Sequence, residues 1–217
     1  MIRALPLALG GATLAVAWSS LPERIWGPGF AAHMTMHLGV VCLAAPLLAL
    51  AVADTRADPV RLSPAIFAAV PASLLEMAVV WGWHAPAAHD AAQLSASVRA
   101  LEQASFLAAG LVLWLSVLGG GGAGDRRRAA AGVIALLLTS MHMTLLGALL
   151  TLAPRPLYAA SSAICRGAPL VDQQIGGILM LIIGAAVYLA GGLALTARIL
   201  RAPWTGGHRA PVTGGSP

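Results

Sequence analysis

The chain has 217 residues, of which 59% are hydrophobic and only 10% charged, and its mean hydropathy is +0.82. Soluble domains carry roughly 25% charged residues, so this composition excludes an ordinary soluble domain and describes an all-α bundle that crosses a membrane repeatedly. The net charge of +5 comes from arginines scattered over the connections, with no lysine and no basic patch, which excludes a nucleic-acid partner.

Taken in chain order, apolar stretches predict about six transmembrane helices, at residues 4–18, 33–53, 64–83, 102–118, 129–152 and 175–200. The first is ambiguous. Arg3, a short apolar run and Ala15-Val16-Ala17 have the pattern of a signal peptide with its cleavage site. The same residues also read as a short retained span, anchored at the interface by Trp18 and Trp26. Retention is the favoured reading; cleavage would leave five spans. The organisation expected is therefore a short first span or signal peptide over residues 1–20, a helical bundle over 31–202, and a disordered cytoplasmic tail over 203–217 that contains His208.

Arginine placement orients the bundle. Arg3, Arg56, Arg61, Arg126, Arg127, Arg128, Arg198, Arg201 and Arg209 fall on one side, and only Arg24, Arg99, Arg155 and Arg166 on the other. The richer side is the cytoplasmic one. The C-terminus is then cytoplasmic, and the connections at residues 19–32, 84–101 and 153–174 face outward. The run of glycines at 119–124, followed by Asp125 and three arginines, reads as a flexible cytoplasmic turn. Cys42 within a span and Cys165 in a loop lie at different depths, so no disulfide is expected.

With this orientation the histidines gather at the outer end. His33-Met34-Thr35-Met36-His37 opens the second span, and residues four apart share a helix face. His33, Met36 and His37 cover an arc of roughly 100° on that helix. His84 ends the third span between Trp83 and Pro86, and His89 follows in the outer loop. Imidazole and thioether together suit Cu(I), so His33, Met36, His37 and His84 are candidate copper ligands. Interfacial histidines can equally hydrogen-bond water, headgroups or a facing helix. His142, between Met141 and Met143, lies deep in the fifth span, where an ionisable group needs a partner and marks either a functional or a structural site. Glu76 poses the same question in the third span. Asp172 is expected to cap the helix that follows it, with Gln173 and Gln174 bonding the neighbouring outer loop. The glycines at 147, 176, 177, 184, 191 and 192 permit close helix packing.

Five strings now stand in order: His33-Met34-Thr35-Met36-His37; Trp83-His84-Ala85-Pro86; Leu101-Glu102-Gln103-Ala104 and the run that follows to Leu111; Leu146-Gly147 through Ala153-Pro154-Arg155-Pro156-Leu157-Tyr158; and Asp172-Gln173-Gln174-Ile175-Gly176-Gly177. Together, over about residues 31–200, they resemble the polytopic CtaG-type assembly factors of bacterial cytochrome c oxidase. The resemblance implies a multi-pass protein of the bacterial inner membrane that helps mature a haem-copper oxidase, with oxidase subunits and a periplasmic copper donor as partners and the lipid bilayer as its surroundings. It carries over His33, His37 and His84 as metal residues and Asp172 as part of an outer loop motif. It also shows a departure. The family commonly has histidine after the glutamate that opens the fourth span, and often another a turn earlier; here those positions are Gln103 and Arg99. His89 or His142 would then complete the site.

The function expected is an assembly factor that binds Cu(I) on the periplasmic side and hands it over by ligand exchange. No enzyme is expected, since the chain has no nucleophile beside a base, no phosphate loop and no CxxC pair. The alternatives are a metal-free scaffold for oxidase subunits and a membrane protein holding haem between two histidines.

Overall fold

The computed structural model describes residues 3–64, 66–120 and 126–201. The expected tail, with His208, and the glycine turn from residue 121 to 125 lie outside the described residues. Among the described residues every regular element is a helix.

The chain starts with α1 (Ala4–Ala17) and a short α2 (Leu21–Trp26). Then α3 (Phe30–Leu38) runs through a π-helical turn (Gly39–Ala44) into α4 (Ala45–Val52), forming one 23-residue apolar helix. Pro46 lies in the first turn of α4 and has no N–H to donate back, so the hydrogen-bond ladder widens just before it. A short α5 (Pro59–Leu62) follows, and then α6 (Ala69–His84). Ala85 takes the extended backbone that a residue before proline prefers, which stops α6 at His84. Next come α7 (Pro86–Leu94), α8 (Ala96–Leu118), α9 (Arg126–Leu152) and α10 (Ala159–Ile164). The last long helix joins α11 (Pro169–Leu179), a second π turn (Met180–Gly184) and α12 (Ala185–Arg201) over 33 residues.

Four of these helices are long and apolar enough to cross a membrane: Phe30–Val52, Ala96–Leu118, Arg126–Leu152 and Pro169–Arg201. The other two expected spans are present as shorter helices. α1 has 14 residues and α6 has 16, about 21 and 24 Å against a hydrocarbon core of about 30 Å. Several helices also begin earlier than hydropathy suggests. α8 starts at Ala96 and not at Glu102, and α11 at Pro169 and not at Ile175. Their polar first turns lower local hydropathy, but the backbone still gains by completing its ladder. The connections at residues 19–32, 84–101 and 153–174 also carry short helices, α2, α7 and α10.

α9 is the centre of the bundle, packed by α6, α8, α11 and α12. Its crossing with α11 depends on two glycines. A Cβ on Gly147 would sit 2.9 Å from the Gly177 carbonyl, and one on Gly177 would sit 2.8 Å from the Gly147 carbonyl. The core between these helices holds Phe106, Leu113, Leu136, Met143, Met180 and Tyr188. Leu74, Ile134, Leu145, Leu149, Ile182 and Leu193 lie exposed on the outside, as lipid-facing residues do. α1 runs antiparallel to α4: the Arg3 N–H donates to Ala51 O at 3.0 Å, its guanidinium to Leu50 O at 3.0 Å, and Gly10 lies against Leu48.

Candidate metal centre

One end of the bundle carries a buried polar cluster. α3 supplies His33, Met34 and His37; α6 ends in His84; α7 supplies His89; α8 supplies Glu102. His37, His89, Glu102 and Met34 are fully buried, and His33 and His84 nearly so. His33 Nδ1 lies 3.8 Å from Glu102 Oε2. His33, His89 and Glu102 each present a ligand atom within 4.8 Å of the other two. The ring of His33 is 4.6 Å from that of His89 and 6.0 Å from that of His84, which is 5.3 Å from that of His37.

Neighbouring backbone and hydroxyl groups set the orientation of two rings. His84 Nδ1 lies 2.7 Å from Val80 O, so it carries the proton and donates it. This leaves the Nε2 lone pair facing Met34 Sδ at 3.3 Å. His89 Nε2 pairs with Ser161 Oγ at 2.8 Å, leaving Nδ1 turned inward. Burial, followed by the adjacent His84, pushes His89 down to about 3. It is therefore neutral, with a lone pair to offer, at ordinary pH. His33 Nε2, both nitrogens of His37, His89 Nδ1 and Glu102 Oε1 have no hydrogen-bond partner among the described residues.

Aromatic rings cover the cluster. Phe30 stacks on Tyr158 at 4.6 Å, both lie against His89, and Phe106 packs at 4.2 Å on His37. Tyr158 donates its hydroxyl to His84 O at 3.0 Å. Burial and the Asp90 carboxylate push this phenol up, so it remains a donor. Asp90 in turn accepts from Ala159 N and Ala160 N and fixes the start of α10.

Asp172 does not cap its own helix, which already begins at Pro169. Its carboxylate instead accepts from Phe30 N at 2.6 Å and Ala31 N at 3.2 Å, capping α3 from across the bundle. A negative charge at the free N–H groups of a helix start is favourable wherever it comes from. Gly29 makes room: its φ is +158°, and a Cβ there would collide with the Asp172 carboxylate. Gln173 bonds both the loop before α10 and the end of α9, accepting from Leu157 N at 2.7 Å and donating to Leu150 O at 3.2 Å.

The sequence-derived candidates thus separate. His33, His37 and His84 come together. Met36 lies outside the cluster, on the wall of a groove with Trp18, Arg99 and Gln103, and Met34 takes the position beside His84. His142 lines another cavity, of about 690 Å³ between α6 and α9, with Ser73, Met77 and Met141, and both its ring nitrogens lack a partner among the described residues. Met34 and Glu102 are absent from the ligand set expected from sequence, and His89 enters it only as one of two residues that would complete the site. The departure at Gln103 is the sequence signal that points toward His89, alongside His142; no signal in the sequence singles out Glu102.

Four helices long and apolar enough to cross a membrane, two shorter ones and a buried histidine–carboxylate cluster at one end define the class: a multi-pass helical membrane protein that gathers metal-ligating residue types in one place. The cytochrome c oxidase caa3 assembly factor family has a model that matches residues 2–202, and the chain belongs to that family. No curated protein and no solved structure matches it.

Proposed function

We propose that this assembly factor carries copper as cargo, holding it in the buried cluster and passing it to an oxidase subunit during assembly. The observation that carries the reading is the convergence of unpartnered donors: one nitrogen each from His33 and His89, both of His37, and one oxygen of Glu102. A buried polar group left unpaired costs about 1–3 kcal/mol, and folded proteins leave few of them. A coordinated cation would satisfy several at once.

The donor types fit copper. His33, His89 and Glu102 form a borderline set that suits a divalent ion, and His37, His84 and Met34 add imidazole and thioether, which favour Cu(I). Glu102 would offset the charge of the ion where water is excluded. Hand-over requires only ligand exchange, so no catalytic residue is needed. The arginine asymmetry supports placing the cluster on the periplasmic side of a bacterial inner membrane, the side from which a periplasmic copper donor would approach.

The test joins genetics and metal analysis. Deletion is expected to lower caa3-type oxidase activity, and added copper to restore it. Purified protein loaded anaerobically with Cu(I) should retain copper, and a His33→Ala/His89→Ala variant should not. Oxidase loss without copper rescue, together with no retained metal, would identify a metal-free scaffold. A Soret band in the purified protein would identify a haem protein instead.

A further inference from the structure

A groove of about 630 Å³ opens where the end of α1, α2 and the α7–α8 junction meet, lined by Trp18, Glu23, Met36, Gln93, Arg99 and Gln103 among others. Gln103 belongs both to this groove and to the cluster. Its Oε1 accepts from Trp18 Nε1 at 3.1 Å on the groove side, and its Nε2 donates to Glu102 Oε2 at 3.3 Å on the cluster side. Met36 is the other link. It follows His33 by three residues, the spacing that sets two side chains next to each other on a helix. It is half-buried and faces the groove, whereas Met34 is fully buried beside His84.

Aromatic rings cover two other flanks of the cluster. Phe30 stacks on Tyr158, with its backbone held by Asp172, and Phe106 lies on His37. On the groove side the flexible thioether of Met36 and the amide of Gln103, itself bonded to the Trp18 indole, lie between the cluster and the outside.

We propose that this groove is the transfer port of the cluster and that Met36 is a relay ligand in it. The inference rests on the copper reading above and adds the route. During transfer a Cu–N bond to His33 breaks as a Cu–S bond to Met36 forms. Copper stays Cu(I), and no proton or electron moves. Gln103 swings off Glu102 to open the wall. Arg99 is tied to Ala92 O and Gln93 O at the end of α7. Its fixed charge opposes a bare cation, so the port suits copper arriving on a carrier's ligands.

The test compares wild type, Met36→Leu, Gln103→Leu and His33→Ala after anaerobic Cu(I) loading. Equilibrium affinity is measured by competition with the Cu(I) chelator bathocuproine disulfonate, and the transfer rate to it by stopped-flow absorbance. Met36→Leu is expected to keep the wild-type affinity while transfer slows by about tenfold. Gln103→Leu removes the bond that closes the wall, and its transfer rate is expected to rise by a larger factor than any accompanying change in affinity. His33→Ala is expected to weaken binding by about tenfold or more. Wild-type rates in both groove variants would overturn the port and leave the cluster reading standing. An affinity loss in Met36→Leu as large as its rate effect would make Met36 a resident ligand and overturn the relay. Failure of wild type to bind Cu(I) at all would remove the reading on which the port rests.

Discussion

His84 shows how the fold fixes one imidazole's tautomer. The carbonyl of Val80, one turn earlier on α6, accepts a hydrogen bond from Nδ1–H and leaves Nε2 toward Met34, an arrangement in which a backbone acceptor fixes the tautomer. His33 and His89 are the residues whose loss should be felt most, because both belong to the tightest donor group. Either one changed to alanine is expected to weaken copper retention by about tenfold or more, measured by chelator competition. His89 also makes the metal-free protein acid-sensitive. Its folded value is about 3, whereas an unfolded histidine titrates near about 6.5. The unfolded chain therefore takes up the proton first. The stabilisation is complete above about pH 6.5 and declines as pH falls toward the folded value. Thermal unfolding of metal-free protein in detergent should show this decline between about pH 7 and 5, with a shallower slope in His89→Gln.

At the scale of elements, two close approaches hold the site in place. Asp172 on α11 caps α3, and Gly29 is the residue that allows the carboxylate in. Asp172→Ala should lower stability by about 1–2 kcal/mol, the usual effect of losing a cap, read as a lower unfolding midpoint in detergent. Because the capped residue is Phe30, the same variant should loosen the aromatic cover and raise the rate of copper loss to chelator. The α9–α11 crossing is the second approach. Gly177→Val would drive a branched side chain into Thr151 and the Gly147 carbonyl. Since backbone cannot yield as a flexible side chain can, a loss at or above the usual 1–3 kcal/mol of overpacking is expected, measured as reduced yield and midpoint.

For the whole molecule, burial and orientation come from different forces. Exposed leucines and isoleucines surround the outside while the charged ends stay apart, so the bundle fits a bilayer rather than water. The orientation rests on arginine counts alone and can be checked with the two cysteines, both free. Cys165 lies partly exposed beyond α10, near the histidine end, and Cys42 is buried in the π turn. A membrane-impermeant maleimide applied to the periplasmic face should label Cys165 and spare Cys42. Labelling of Cys165 only after access to the cytoplasmic face would reverse the orientation and with it the periplasmic placement of the cluster.

The helical class, the short first helix, the convergence of His33 and His37 on one face and the end of α6 at His84 were all legible along the chain. Each depends on local rules: hydropathy over a turn or two, the 3.6-residue period, and the restriction before proline. The membership of the cluster was not. On α3, Met34 lies about 100° to one side of His33 and Met36 about 60° to the other, and the period treats both as flanks of the same pair. Only the packing of α6 on one flank and the groove beside α8 on the other makes Met34 a partner of His84 and Met36 a wall of the groove. Glu102 and His89 join for the same reason, since α7 packs on α6 and α8 and brings the His89 ring against Phe30 and His33, a contact that no spacing encodes. Asp172 is the plainest case: its chemistry as a helix cap was readable from its residue type, but which helix it caps was decided by contact between two helices 141 and 142 residues apart in the chain.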